Sequence, residues 1–315
     1  MKRHLLLLGL LLPLFCSLFG AGAKAASCAM TSPSSLAFGS VDVLNGAMPN
    51  TTANMSVSCT GIASGENIRF CIGVVGGGVN LLSIGRYMLR LTNRLYYSFF
   101  VTGSVEVFNV SDGGSFYIDL SESVPSINVY FTSSIYGGQK NRPAGYYLDT
   151  VIMNGSFASY AGTRGIAPFQ DCNFTGTLAG SVSLPVIATV PANCLISATS
   201  LTFESQVIFT SALSAESVVT VSCTTGSPYW VSLDNGMNAL SGQRRMKSGT
   251  NYISYELYRD SARSLRWGAT KDVDTVSGTG VYSGTGFPVY GKVPTPATQP
   301  PPGTYSDTIT ATVNF

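Results

Sequence analysis

Residues 28–59 and 194–223 are two versions of one cysteine-bounded block. The first begins CAMTSPSSLAFGSVDV and ends NMSVSC; the second begins CLISATSLTFESQV and ends VVTVSC. The duplication continues well beyond the cysteines. RYMLRLTNRLYYSFFV (86–101) parallels RRMKSGTNYISYELYR (244–259), and GYYLDTVIMNGSF (145–157) parallels GTYSDTITATVNF (303–315). The offset is 164 between Cys59 and Cys223 and 158 at both later blocks, so one early adjustment aligns the copies. A chain built this way is expected to fold as two like domains.

The periodicity within each copy is that of strands. Val57 and Cys59 in the first copy, and Val219, Val221 and Cys223 in the second, alternate with small polar residues, as do Ile309, Ala311, Val313 and Phe315. No segment carries a capped stripe of 3.6-residue period. Charged residues make up 11% of the chain, against about 25% in an average domain, which argues against a long charge-laced helical protein. Short strands separated by turn residues, at roughly 120–145 residues per copy, predict an all-β protein of two immunoglobulin-like β-sandwich domains. Tyr147 and Tyr305 stand near the start of the last strand of each copy. They are either tyrosine corners, with the hydroxyl bonded back to the backbone, or ordinary core tyrosines.

The N-terminus reads as a secretory leader: the basic start Met1-Lys2-Arg3-His4, an apolar run from Leu5 to Phe19, and Ala23-Lys24-Ala25 before a cleavage point at Ala26. The run is interrupted by Pro13 and is shorter than the ~20 residues of a membrane span, so no integral membrane anchor is expected. The expected division is a signal peptide at 1–25, an N-terminal sandwich at 26–172, a connecting segment at 173–193 and a C-terminal domain at 194–315. The single histidine, His4, leaves with the leader. Its loss removes Ser-His-Asp and Cys-His nucleophilic machinery and the usual imidazole ligands of catalytic zinc. No cofactor or metal is expected. Without Lys2, Arg3 and Lys24 the chain holds 15 basic and 16 acidic residues, a net charge of −1, so it lacks the electrostatic footprint of a nucleic-acid partner.

Between the copies, residues 174–186 read FTGTLAGSVSLPV. Phe174, Gly176, Leu178, Gly180, Val182 and Leu184 fall on one face of a period-2 strand, which Pro185 is expected to end. A flexible linker would lack this alternation. The segment is either the first strand of the second copy or an addition to the first. The first copy reaches Cys28 after only Ala26 and Ser27, so the repeat unit itself lacks this strand. Copy two stops just after GTYSDTITATVNF, whereas copy one is followed by a loop and the extra strand. The second sandwich is therefore expected to lack its last strand, which leaves an apolar groove with unpaired backbone edges unless a partner adds a strand.

The paired Cys…VSC pattern, the closing G-x-Y-x-D-T strands (Gly145, Tyr147, Asp149, Thr150 and Gly303, Tyr305, Asp307, Thr308) and the double copy resemble spore coat protein U domains. Such domains occur in archaic chaperone-usher pili of the Csu type. The resemblance covers nearly all of the mature chain and is strongest over 194–315. It implies a pilin-like domain that lacks a strand and takes the N-terminal extension of the next subunit. Residues 174–193 resemble such an extension, fused here behind the first domain and expected to complete it within the chain. Two residues before Cys28 are too few to donate a strand, so the resemblance implies a two-domain tip adhesin. Its partners would be a periplasmic chaperone, an outer-membrane usher, an adjacent pilin subunit and an abiotic or host surface. It would pass through the periplasm to the fimbrium tip. The alternative is a secreted carbohydrate-binding or coat-layer protein with two self-sufficient sandwiches.

If the strand at 174–186 pairs with residues 147–157 as a hairpin, the loop at 158–173 lies at the pole away from copy two. Tyr160, Ile166, Pro168 and Phe169 make that loop apolar, and Ile62, in the loop after Cys59, falls at the same pole in this topology. These five are the candidate surface-binding residues; otherwise Ile166 and Phe169 plug the sandwich end. Gly76–Leu82 is a second candidate turn, nearer copy two. Arg164 and Asp171 read as solvated charges. The repeat pairs Cys28 with Cys59 and Cys194 with Cys223, each closing a loop worth about 3–4 kcal/mol. Cys71 and Cys172 remain, either bonded to each other or as two buried thiols. Five N-x-S/T sites (Asn50, Asn54, Asn109, Asn154, Asn173) carry little weight in so Asn-, Ser- and Thr-rich a chain. Nothing in the sequence places two carboxylates together as a glycosidase pair, and no enzymatic activity is expected.

Overall fold

The computed structural model describes residues 25–75, 78–79, 86–102, 107–109, 115–160, 166–168 and 176–315; for 78–79, 107–109, Tyr160 and 166–168 only the backbone course is described. The leader lies outside these residues apart from Ala25, as do Cys172, Phe169, Arg164, Asp171 and Phe174. Among the described residues every regular element is a strand. They enclose two separate hydrophobic cores, one built from residues 28–190 and the other from residues 194–313.

In the first copy the strands follow one hydrogen-bonded path around the core. In order they are Ser27–Met30, Asn50–Thr60, Ser126–Ile135, Asn93–Thr102, Arg86–Arg90, Gly145–Tyr160, Asn67–Val75, Ser115–Ser121 and Ile166–Pro168. Cys28 lies directly opposite Cys59 and is bonded to it; Cys194 and Cys223 repeat the arrangement in the second copy. The alternation seen in the sequence is the burial pattern: Ala53, Met55, Val57 and Cys59 all face the first core.

Gly145–Tyr160, the closing strand, is the longest element of the first copy. One edge pairs with Asn67–Val75 and, at Leu148, with Leu89; the other edge pairs antiparallel with Thr177–Val190 along nearly its whole length. This connecting strand also runs parallel to Leu36–Ser40, through Val186↔Leu36 and Ile187↔Ala37. It is thus held on both edges.

The connecting strand differs from the sequence expectation in two ways. Pro185 does not end it: pairing continues to Val190, and Leu184, Val186, Ala188 and Val190 all lie in the core at 2% exposure or less. A proline removes one donor but is compatible with extended backbone. The expected single face is also broken. A bulge between Gly155 and Ser156 sets Gly155 opposite Gly180 and Ser156 opposite Leu178, which leaves Ala179 as the extra residue. Gly180 adopts φ +100° there, a backbone region natural only to glycine. Beyond the bulge the parity flips, so Leu178 points outward at 78% exposure while Ala179 packs on the core.

Besides a two-stranded ribbon of Arg245–Ser248 and Asn251–Ser254, the second copy has two small sheets that share its core. One orders Cys194–Ala198, Leu213–Cys223, Thr285–Val293 and Glu256–Tyr258; the other orders Val276–Thr279, Pro228–Leu233 and Ala311–Asn314. Trp267 is fully buried between them and donates its Nε1–H to Val231 O at 3.0 Å. The junction between copies is short and tied down. Asn193 donates through Nδ2 to Asp42 at 2.8 Å and through its backbone to Thr224 Oγ1 at 3.1 Å. Burial alone would raise the Asp42 carboxyl, but the bonds it accepts from Asn45, the Asn193 side chain and Leu44 hold it below its usual range.

The burial pattern makes a direct prediction. Leu184→Ala should cost the first copy about 2–5 kcal/mol, whereas Leu178→Ala should change stability by no more than about 0.5 kcal/mol. Urea unfolding followed by far-UV circular dichroism would separate the two; equal effects would contradict the flipped parity.

Candidate functional site

The closing strand Gly145–Tyr160 has its sequence counterpart at 303–315, where Ala311–Asn314 is the regular strand, and only the first copy's is covered by an added strand. In the first copy Tyr147, Val151 and Met153 are fully buried and Asp149 is 6% exposed, because the connecting strand lies beside them. Their counterparts at the 158-residue offset are Tyr305, Ile309, Ala311 and Asp307. All four are only half-buried. Ala311–Asn314 is the edge strand of its sheet. Thr308 and Thr310 accept backbone bonds from Met237 and Asp234, and Ser306 bonds Lys247 in both directions, so the even-numbered residues serve the inner edge. By the alternation of an antiparallel strand, the backbone groups of the odd-numbered residues face the open edge.

The opposite wall of this opening is also present. In the first copy Leu36 and Phe38 are 0% and 6% exposed in the strand that flanks the connecting strand. In the second copy the matching Leu201 and Phe203 lie in a stretch with no strand pairing, and both are only partly buried. Leu201, Phe203, Tyr305, Ile309 and Ala311 all pack partly buried against the second core. Among the described residues no strand pairs with the outer edge of Ala311–Asn314.

A buried polar cluster anchors the closing strand in each copy. Tyr97 donates to Asp149 Oδ2 at 2.5 Å, and Arg86 Nε lies 3.2 Å from the Tyr97 hydroxyl and 3.3 Å from Asp149 Oδ2. Arg86 and Tyr97 are fully buried. In the second copy Tyr255 donates to Asp307 Oδ2 at 2.8 Å, while Asn238 reaches the other carboxylate oxygen from its backbone and side-chain nitrogens. Arg244, also fully buried, donates to Glu256, to Asp234 O, and to Trp267 O at 2.8 Å. Arg86/Arg244, Tyr97/Tyr255 and Asp149/Asp307 are all 158 residues apart. All but Asp149 and Asp307 of the cluster's residues look like ordinary members of the duplicated strands, so the cluster is not apparent from periodicity. The constant offset of the three identical residues was the available signal.

Burial, reinforced by the adjacent Asp149 carboxylate, pushes the Tyr97 hydroxyl well above its usual range. Burial and the bond to Asp307 raise Tyr255 likewise. Burial pulls the Arg244 guanidinium down, against the opposing pull of Glu256. Both tyrosines form corners: Tyr147, two residues into its strand, donates to Pro143 O at 2.9 Å, and Tyr305, ahead of Ala311–Asn314, donates to Pro301 O at 2.8 Å. Each bond reaches back four residues.

The candidate surface residues are only partly brought together. Ser159, near the end of the closing strand, donates to Glu66 of the loop that follows Cys59, so this loop and Tyr160 share one pole. Ile62 is partly buried and packs on the core. Ile166 and Pro168 sit in a short strand, paired with Ile118 and Phe116, where a loop was expected. Phe169 and the Cys71–Cys172 pairing lie outside the described residues. Among the described residues no group of three or more His, Cys, Asp or Glu side chains is placed to hold a metal.

The family model described as Spore Coat Protein U domain matches residues 18–154 and 181–312. Protein U of Myxococcus xanthus is 38% identical over 110 residues, a match that takes in 31% of this chain and 58% of that protein's length. The structure aligns with a chain of the CsuC-CsuE chaperone-tip adhesion subunit pre-assembly complex, from archaic chaperone-usher Csu pili of Acinetobacter baumannii. That alignment has a TM-score of 0.52 at 20% identity and covers 92% of this chain and 100% of the other. At this identity the likeness establishes a shared fold. The CupB6 tip adhesin of Pseudomonas aeruginosa aligns over 92% of this chain and 95% of its own, with a TM-score of 0.42 at 12% identity.

The buried tyrosines carry a pH prediction. A tyrosine that keeps its proton longer when folded contributes stability that is complete below the unfolded value near 10 and is lost as pH rises through the folded value. Stability should therefore fall above about pH 10. Tyr97→Phe and Tyr255→Phe should each make that fall shallower and lower neutral stability by about 1–3 kcal/mol. Melting temperatures between pH 7 and 11 would check this; an unchanged alkaline slope would contradict it.

Proposed function

The chain belongs to the Spore Coat Protein U domain family, and on that premise we propose that it is the tip subunit and adhesin of a chaperone-usher pilus. The observation that carries this reading is the unequal cover of one duplicated segment: Met153 is fully buried beside the connecting strand, while its counterpart Ala311, in an edge strand, is only partly buried. An open edge backed by apolar side chains invites strand addition. In this reading residues 26–172 form the adhesive domain, 173–193 complete it within the chain, and 194–315 accept a strand from the adjacent pilin subunit. A periplasmic chaperone covers the slot before assembly. An outer-membrane usher then exchanges it for the pilin strand and delivers the subunit to the cell surface. The chaperone named alongside the CsuE subunit in the aligned structure supports that partner class.

Attachment and biofilm formation are assigned to the far pole of the first copy, with Ile62, Tyr160, Ile166, Pro168 and Phe169 as contact residues. The protein works by strand pairing and apolar contact and runs no reaction. The family's description also favours a coat-layer role with two self-sufficient sandwiches. The half-buried side chains of Tyr305, Ile309 and Ala311 weigh against it, since a self-sufficient sandwich would cover them.

Hydrogen exchange tests the slot. Amides of 147–153 should be protected in the isolated chain, whereas those of 305, 307, 309, 311 and 313 should exchange rapidly and become protected only when a partner strand is bound. Equal protection of both sets in the isolated chain would overturn the reading. For the pole, Ile166→Ser with Phe169→Ser should abolish attachment by pili that assemble normally; undiminished attachment would sink that assignment.

A further inference from the structure

The filled slot of the first copy is a template for the empty one. Facing the connecting strand, Gly145 pairs with Val190, Tyr147 with Ala188, Asp149 with Val186, Val151 with Leu184, Met153 with Val182 and Gly155 with Gly180. At the 158-residue offset the corresponding residues are Gly303, Tyr305, Asp307, Ile309, Ala311 and Val313. The first three are identical in the two copies. The last three differ, and they differ in size.

The largest difference is Met153 against Ala311. Met153 is fully buried, so its side chain fills the space beside Val182. Ala311 withdraws most of that side chain from the equivalent place. The neighbour on the inner edge compensates only in part: Val74, opposite Met153, becomes Leu233, opposite Ala311, which returns one methylene. One step along, the change has the opposite sense. A Cβ on Gly155 would come within 2.7 Å of Met30 Cε and 2.8 Å of Phe70 Cζ, so the first copy has no room there. The second copy holds Val313 at this place.

Interiors are close-packed, and a position left underfilled loses both transfer energy and dispersion contacts. We infer that Ala311 sets the size selectivity of the empty slot. The strand it accepts carries a side chain larger than valine, such as leucine, methionine or phenylalanine, at the place where the connecting strand has Val182. The occupant is then a different polypeptide with an alternating apolar segment, because the connecting strand of a second copy of this chain would leave the space beside Ala311 empty. The inference rests on the proposed function, in which the slot takes a partner's strand, and adds to it the partner's side-chain pattern.

The test uses the mature chain, residues 26–315, refolded with labelled 14-residue peptides that carry residues 177–190, either unchanged or with Val182→Leu or Val182→Phe. Binding is read by fluorescence anisotropy. The Val182→Leu peptide should bind about fourfold more tightly than the unchanged peptide, the worth of one buried methylene at about 0.8 kcal/mol. In the Ala311→Met chain the order should reverse. The milder Ala311→Val chain, which changes the fold least, should shrink the preference toward onefold. Equal binding of all three peptides, or a preference untouched by both Ala311 variants, would overturn the size inference and leave the slot standing. Failure of every peptide to bind would overturn the slot itself.

Discussion

The pairing of the closing strand with the connecting strand is the interaction on which the rest of this architecture depends. A strand with one apolar face at the edge of a sheet exposes both that face and a row of backbone donors and acceptors. In the first copy Leu184, Val186, Ala188 and Val190 satisfy both needs, and Tyr147, Val151 and Met153 disappear from solvent. Among the described residues Thr177–Val190 pairs with strands of the first copy alone, so the closing segment of the second copy has no such cover. The three-residue turn at Pro191–Asn193 delivers the strand to the first copy and leads directly into Cys194 of the second.

A tyrosine–aspartate hydrogen bond, present in both copies and joined by a buried arginine in the first, holds the closing segment. Removing a buried carboxylate from water is costly unless its oxygens are bonded. Tyr97 supplies such a bond to Asp149, and Tyr255 with Asn238 supplies them to Asp307. The tyrosine corner two residues earlier fixes the same strand from its other side through Pro143 or Pro301. The G-x-Y-x-D-T motif is therefore a positioning device in which the tyrosine and the aspartate each hold the strand by a hydrogen bond. In the second copy Tyr255 and Asn238 keep bonds to Asp307, whereas Arg244 turns to Glu256 instead of to the aspartate.

Much of this was legible in the sequence because it rests on local, periodic features. Strand alternation, the duplication, the cysteine pairs and the position of an added strand all follow from residue spacing. The end of that strand did not follow, since Pro185 reads as a breaker although extended backbone accommodates it. Leu178 was placed on the wrong face because a one-residue bulge at Gly180 reverses parity, and period-2 counting cannot register an extra residue. The buried cluster is not legible in the sequence because a lone aspartate in a strand reads as solvated until its arginine and tyrosine, 63 and 52 residues earlier, are seen beside it. Ile62 looked exposed in a polar loop yet packs on the core. Loop position alone does not decide burial.

Both tryptophans, Trp230 and Trp267, belong to the second copy, which makes its stability separately visible. The most direct test of unequal completion is thermal unfolding of the mature chain, followed at once by tryptophan fluorescence and by far-UV circular dichroism. The account predicts that the fluorescence transition comes first, at a clearly lower temperature than the main dichroism transition, and moves upward when a strand peptide fills the slot. Coincident transitions, unmoved by any added strand, would contradict it.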